Sequence, residues 1–196
     1  MALKADILSF LRTNPNVGRL NFEFKTPLRS YKVYPSAYAK DVADAIDKED
    51  IIIRTKGAPS AGAGAGYDLN YDSFELSPTF SIGNWRDQAF LVHECTHAHL
   101  DIQSMGNHSG HENEAVAYLA EALFLEFAGN PPLGTEAIRV VAHSIAKGVV
   151  GKGSYTVPAT DTGPLVAEVA KHPNYSSKVI YNANGFKRSM IHNLLR

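Results

Sequence analysis

Five consecutive residues of this 196-residue chain, His93-Glu94-Cys95-Thr96-His97, carry side chains that can bind and use a metal ion. Four residues advance an α-helix by ~400° and about 6 Å, so the imidazoles of His93 and His97 lie one turn apart on one face. Neutral imidazole nitrogen is a common ligand of Zn²⁺. Glu94 lies ~100° further round the helix, too far to the side to be an obvious ligand but within reach of water on the ion. The spacing predicts a zinc-binding pair with Glu94 as general base.

The same helix turns its apolar residues away from this pair. On a helical wheel, Leu91, Cys95 and Ala98 lie on the side opposite His93. Cys95 is therefore predicted to be a small buried hydrophobe. His99 also faces away, so neither Cys95 nor His99 is expected to bind the same ion.

A second helix, predicted for residues 112–127, carries Glu114 and Glu121 on one face. A short loop would fold the two helices into an antiparallel hairpin and set one carboxylate beside both histidines. Two imidazoles, one carboxylate and an open fourth position form the ligand set of a catalytic zinc site. Seven residues return a helix to nearly the same face, so spacing alone leaves both glutamates open as the third ligand. His108 and His111 in the loop are fallback ligands, although solvated loop histidines are the commoner case.

The two helices resemble the active site of the glutamate-zincin metallopeptidases, the thermolysin-like or gluzincin group. The active-site helix of that group carries His-Glu-x-x-His, which matches His93, Glu94 and His97, and its next helix carries an Asn-Glu-Ala element, which matches residues 113–115. The resemblance implies that Glu114 joins the two histidines as the third zinc ligand. It also implies that Glu94 is the catalytic base and that the substrate is a peptide or protein.

The resemblance raises expectations for groups around the metal. Tyr118 stands where many members carry an aspartate that steadies a ligand histidine. Asp101, one turn further along the motif helix, is either such a positioning group or a solvated acid. Members also stabilise the oxyanion with a later tyrosine or histidine, for which His143, Tyr155 and Tyr175 are candidates. His143 lies on a polar helical stripe, which favours a solvated side chain, and none of the three is assigned.

Other classes of protein stay open. The metal could fix the helix hairpin of a non-catalytic zincin-like binding module, or the same three ligands could form the facial triad of a non-haem iron oxygenase. A glutamate between the histidines favours zinc over iron. A plain interaction domain without metal is the remaining alternative. A metzincin is excluded, because Leu100 and Gln103 replace the glycine and third histidine of that motif.

Hydrophobic periodicity and turn residues predict an α+β fold for residues 1–196, a single zincin-like domain with a small mixed or antiparallel sheet and an active-site helix hairpin. Helices are predicted at residues 3–11, 36–48 (with Ser36 as a possible cap), 86–103, 112–127, 135–149 and 163–172. Strands are predicted at residues 20–24, 28–34 and 51–53, the last of them buried, with an edge strand or hairpin at 67–76. Residues 57–66 and 104–110 are predicted loops, and the tail is weakly patterned.

The predicted edge at residues 67–76 is a candidate surface for an extended substrate, as the resemblance implies, although an ordinary sheet edge is an equal alternative. The glycine-rich residues 57–66 before it could form a lid or a plain spacer.

Composition limits the classes of partner and the cellular compartment that the sequence predicts. Nineteen basic and twenty acidic side chains give a formal charge of −1, which offers no overall attraction to nucleic acid or to an anionic membrane. The single cysteine, Cys95, cannot form an intramolecular disulfide. No apolar run approaches the ~18 residues of a spanning helix, and an early acid interrupts any signal-peptide core. The sequence therefore predicts a cytoplasmic protein.

Overall fold

A computed structural model describes residues 2–55, 64–103, 106–150, 155–177 and 180–183. Its helices are α1 (Ala2–Thr13), α2 (Ala43–Asp47), α3 (Trp85–Ile102), α4 (Gly110–Ala128), α5 (Ala137–Val149) and α6 (Ala159–Lys171). Its strands are β1 (Phe22–Lys25), β2 (Ser30–Val33), β3 (Ile52–Thr55), β4 (Ala65–Asp68), β5 (Ser73–Leu76), β6 (Gly106–Ser109), β7 (Tyr155–Val157) and β8 (Ile180–Ala183). The predicted α+β class is confirmed.

The described strands form small sheets. One has the order β2-β1-β7, with β2 antiparallel and β7 parallel to β1. The second has the order β3-β5-β4, with β3 parallel and β4 antiparallel to β5. Strands β6 and β8 pair antiparallel. The prediction of a small mixed sheet is confirmed, and the hairpin predicted at residues 67–76 is the β4–β5 pair.

The helices α3 and α4 pack against each other, and α4 also contacts α5 and α6. Because α4 is covered on several sides, it buries residues around most of its circumference, including Leu119 and Leu123. Leu91 and Cys95 of α3 are fully buried on the side away from the motif histidines. The prediction that Cys95 is a buried hydrophobe is confirmed.

Capping residues fix where the two central helices begin and end. The side chain of Asn84 accepts a hydrogen bond from the amide of Arg86 at the start of α3. Ser109 caps α4 in the same way through the amide of Glu112. Gly129 ends α4 with φ of 68°, a left-handed conformation that glycine adopts without strain.

Several local predictions are wrong. Ser36 is not a cap: it has helical backbone angles and its side chain makes no capping hydrogen bond. The helix that follows starts as a π-helical segment, Ala37–Val42, before α2. The strand predicted as buried at residues 51–53 is half-buried over β3. Residues 65 and 66, placed in the glycine-rich loop, belong to β4, and residues 56–63 of that region lie outside the described residues.

Two further predictions are wrong, one about strand pairing between distant segments and one about the start of the last helix. The predicted loop at residues 104–110 contains β6, and the weakly patterned tail contains its partner β8. Helix α6 begins at Ala159, four residues before the predicted start, so Pro164 lies in the early part of the helix.

No helix of the described residues is both long and apolar enough to cross a bilayer.

Candidate metal centre

Three side chains from α3 and α4 converge in one buried place. The rings of His93 and His97 lie one turn apart on α3, with centroids 4.9 Å apart. Oε2 of Glu114, on α4, lies 3.5 Å from Nε2 of each histidine. One donor atom from each of the three residues lies within 4.8 Å of the others, and each residue is 6% exposed. The structure thus brings together all three residues predicted as zinc ligands.

Glu121 occupies a different place from Glu114. Its Oε2 lies 3.4 Å from Nδ1 of His93, the nitrogen that faces away from Glu114. Its other oxygen accepts a hydrogen bond of 3.0 Å from Nε of Arg139. Of the two glutamates that spacing left open, Glu114 faces both inner nitrogens and Glu121 faces an outer one.

His97 is oriented by its neighbour on α4. Its Nδ1 donates a short hydrogen bond to Oδ1 of Asn113, which is fully buried. The amide nitrogen of Asn113 donates to Nε2 of His108 at 2.9 Å. With Nδ1 protonated by this bond, Nε2 of His97 carries the lone pair and faces Glu114.

Glu94 lies beside the three residues without belonging to their group. Its Oε2 accepts a hydrogen bond of 2.7 Å from the backbone amide of Tyr67 on β4. Burial raises the pKa of Glu94, and the neighbouring His93 and His97 only partly offset that effect. A buried carboxylate with a raised pKa is a better proton acceptor than an exposed one, which suits a general base.

The carboxylates make this place attractive to a cation. Burial disfavours the imidazolium form of His93, but the adjacent carboxylates of Glu114 and Glu121 raise its pKa to about 10. Although burial opposes it, the nearby His97 and His93 hold the pKa of Glu114 well below its usual range. Two imidazole nitrogens and one carboxylate oxygen are ligands that Zn²⁺ accepts, so the donor set fits the predicted ion.

A cleft of about 880 Å³ opens over the cluster. One wall of the cleft is strand β4, from Ala65 to Asp68. The other lining residues include Glu94, the three converging residues His93, His97 and Glu114, and the aromatic residues Tyr175 and Tyr181. Among the strands of the described residues, β4 pairs with β5 alone, at the end of the order β3-β5-β4. The predicted edge strand therefore borders the same cleft as the metal-binding candidates.

Aromatic rings enclose the histidines. The ring of Tyr118 packs edge-on against His93 at 4.7 Å, and its hydroxyl lies 2.8 Å from the hydroxyl of Tyr175. The ring of Tyr181 stacks on His97 at 6.1 Å. Tyr118 thus restricts the rotation of His93, and the carboxylate of Glu121 faces the outer nitrogen of the same ring.

The fallback ligands lie outside the cluster. His108 is buried and occupied by Asn113, so the expectation of a solvated loop histidine is wrong for it. Nε2 of His111 lies 2.9 Å from the carbonyl oxygen of Tyr175. His99 contacts the carbonyl of Lys32 on the far side of α3, as predicted from the wheel.

Two polar residues are buried: Asp101, for which a positioning role and a solvated acid were both open, and His143, for which a solvated side chain was favoured. Asp101 is fully buried and accepts a hydrogen bond of 3.0 Å from the hydroxyl of Tyr67, while the outer nitrogen of His97 is taken by Asn113. His143 is 7% exposed and lies 2.6 Å from Glu126 of α4. The polar stripe of α5 packs on α4 at this point, which a helical wheel cannot show.

Sequence reasoning missed the groups that hold the ligands in place. Asn113 appeared in the matched element, but its contact with His97 was not foreseen. Arg139 lies one turn before His143 on the polar stripe of α5, and no role in the site was predicted for it. Tyr67 and Tyr181 come from segments with no local motif, so no sequence signal points to them.

No family model, no curated protein and no solved structure matches this chain.

Proposed function

We propose that this protein is a zinc-dependent hydrolase that cleaves peptide bonds. The observation that carries the proposal is the convergence of His93, His97 and Glu114 on one point, with Glu94 beside them in the same cleft. Three protein donors leave a fourth position for water or substrate, which distinguishes a catalytic zinc site from a closed structural one. A general base next to that position is the remaining requirement for hydrolysis.

The residues around the cleft have distinct roles in this proposal. A zinc ion held by the three donors would lower the pKa of water and polarise a substrate carbonyl. Glu94 takes the proton from the attacking water and later delivers it to the leaving amine. The amide of Tyr67 holds Oε2 of Glu94, which fixes the direction of the carboxylate toward the cleft. Tyr118 and Tyr181 pack on the histidine rings and limit their movement.

The edge of β4 supports a peptide as the substrate. An extended chain can add to an exposed strand edge through backbone hydrogen bonds. Strand β4 carries Tyr67, whose amide contacts Glu94, so a peptide along this edge passes close to the general base. A formal charge of −1 gives no support to nucleic acid or an anionic membrane as partner. We place the protein in the cytoplasm, because Cys95 is buried and unpaired and the fold needs no disulfide.

Metal content and a peptide-library digest test this function together. We expect about one zinc per chain in the wild type, and loss of that zinc in His93→Ala and in His97→Ala. Glu94→Gln should keep the zinc and lose hydrolysis by ~10²–10⁴-fold, because only proton transfer is removed. Glu168→Gln, on the outer face of α6, is the matched control and should keep both.

Two results would overturn the proposal. A wild-type protein that holds no zinc at micromolar metal lacks the site. A zinc-bound wild type that cleaves no peptide is not a peptidase, and a role as a metal-stabilised binding module would then be favoured.

A further inference from the structure

Two carboxylate contacts cross the seam between α4 and α5. Glu121 pairs with Arg139 at 3.0 Å, and Glu126 pairs with His143 at 2.6 Å. The two pairs lie about one turn apart on both helices. Only the first also reaches the metal-binding candidates, because the other oxygen of Glu121 lies 3.4 Å from His93.

Arg139 is held in place on several sides. Nε donates to Glu121, and a second nitrogen donates to Glu136 on the outer side of the seam. The guanidinium lies over the rings of Tyr118 and Phe90, with carbon-to-centroid distances of 5.3 Å and 5.8 Å. Planar stacking and a forked set of donors are properties that lysine lacks.

The carboxylate of Glu121 is almost fully buried, at 2% exposure. A buried carboxylate is costly unless it is paired, and Arg139 provides the pairing. Its second oxygen, Oε2, has no hydrogen-bond partner of good geometry among the described residues, and neither does the facing Nδ1 of His93. A small rotation of the imidazole would bring these two atoms into a hydrogen bond.

We propose that Arg139 is a positioning residue for the metal centre and acts through Glu121. By holding Oε1, it aims Oε2 at the outer nitrogen of His93 and keeps Glu121 away from the point where Glu114 meets the histidines. Histidine ligands usually donate their outer N–H to a carboxylate or carbonyl, and this contact sets the tautomer and the ring direction. The inference rests on the metal site of the proposed function, but not on hydrolysis.

Zinc affinity, measured by competition with a chromophoric chelator, tests the inference without any activity assay. Arg139→Gln should weaken zinc binding by ~10-fold or more, since loss of such outer partners costs 10–100-fold. Glu126→Gln alters the other carboxylate contact of the same seam, that with His143, and is the matched control. It should lower the melting temperature to a similar extent and leave zinc affinity unchanged.

A double-mutant cycle shows whether Arg139 acts through Glu121. In a Glu121→Gln background, Arg139→Gln should have little further effect on zinc affinity, because the group that it positions is already altered. The visible spectrum of the Co²⁺-substituted protein should change in Arg139→Gln and stay unchanged in Glu126→Gln. Arg139→Lys keeps the positive charge but lacks the forked donors of the guanidinium, and it should bind zinc with intermediate affinity. This variant replaces Arg139→Gln in the test if Arg139→Gln does not fold.

The inference is overturned if the Arg139 variants bind zinc as tightly as the wild type, or if Glu126→Gln weakens zinc binding equally. Additive effects of Arg139→Gln and Glu121→Gln would also overturn it. A wild-type protein that binds no zinc removes the metal site itself, whereas zinc binding without peptide cleavage contradicts only the proposed function.

Discussion

At the scale of single residues, the two candidate histidine ligands are oriented by different chemistry. His97 faces the neutral amide of Asn113, and His93 faces the charged carboxylate of Glu121. Both partners come from α4, and both meet Nδ1, so that each Nε2 faces Glu114. The positions of these outer groups therefore set the direction of both ligand nitrogens.

Replacing Asn113 tests this orientation. Asn113→Leu removes the acceptor for His97 and the donor for His108, and leaves both buried rings without that partner. We expect zinc affinity to fall by ~10–100-fold and the free energy of unfolding to fall by about 1–3 kcal/mol. Chelator competition and urea unfolding measure the two effects. Asn70→Leu, an exposed residue of the same cleft, should leave zinc affinity unchanged, and equal losses in both variants would contradict the role of Asn113.

Tyr67 joins the cleft to the core through its hydroxyl. The hydroxyl donates to Asp101 at 3.0 Å and to Asp72 at 3.4 Å, and both carboxylates are fully buried. Tyr67→Phe keeps the backbone bond to Glu94 but removes this donor, which should destabilise the fold by about 1–3 kcal/mol in urea unfolding. Tyr34→Phe removes a bond to the more exposed Asp41 and should cost less. A larger loss at Tyr34 would show that burial does not set the cost.

Residue types and spacing predicted that His93 and His97 meet a glutamate of the next helix, because the two helices are joined by a short connection, and the resemblance selected Glu114 over Glu121. Residue types and spacing did not predict which groups contact and orient those three side chains. A solvated side chain was favoured for His143 and left open for Asp101, because a helical wheel shows only one helix. The neighbouring strand and helix that bury them come from distant parts of the sequence.

At the scale of elements, α4 does most of the positioning, since its first turns carry both Asn113 and Glu114. Ser109 begins the helix by capping it, and Gly129 ends it. The predicted start and end of α4 are close to the observed ones, because capping residues and the Gly-Asn-Pro-Pro stop are local signals. The pairing of β6 with β8 joins segments about seventy residues apart, for which no local pattern exists.

The two ends of α4 should differ in their effect on the metal. Ser109→Ala removes the cap and should destabilise the protein by ~1 kcal/mol, because an amide of the first turn loses its acceptor. Gly129→Ala introduces a side chain at positive φ, which costs a similar amount at the far end. Thermal unfolding should show both losses, whereas zinc titration should show weaker binding in Ser109→Ala only. Equal zinc affinity in both variants would mean that the first turn of α4 does not position the site.

At the scale of the whole molecule, the core is extensive and continuous. It includes residues of α1, of β1 and β2, and of the helices α3 to α6. A chain with such a core does not need metal to fold, unlike a small zinc finger. The candidate metal centre lies at the edge of this core and lines the cleft.

Zinc should nevertheless stabilise the folded chain by mass action. Binding to the native state alone adds about 2.7 kcal/mol at a zinc concentration one hundred times the dissociation constant. The melting temperature should therefore rise with zinc and return to its original value with a chelator. In His97→Ala the protein should remain folded, and its melting temperature should not respond to zinc. An equal rise in this variant would place the stabilising ion elsewhere.

The most direct measurement of the central claim is anomalous diffraction at the zinc edge from crystals grown with zinc. The account expects one strong peak bounded by Nε2 of His93, Nε2 of His97 and the carboxylate of Glu114, with Glu94 next to it but not bonded. A peak held by other residues, or no peak between these three side chains, would contradict it.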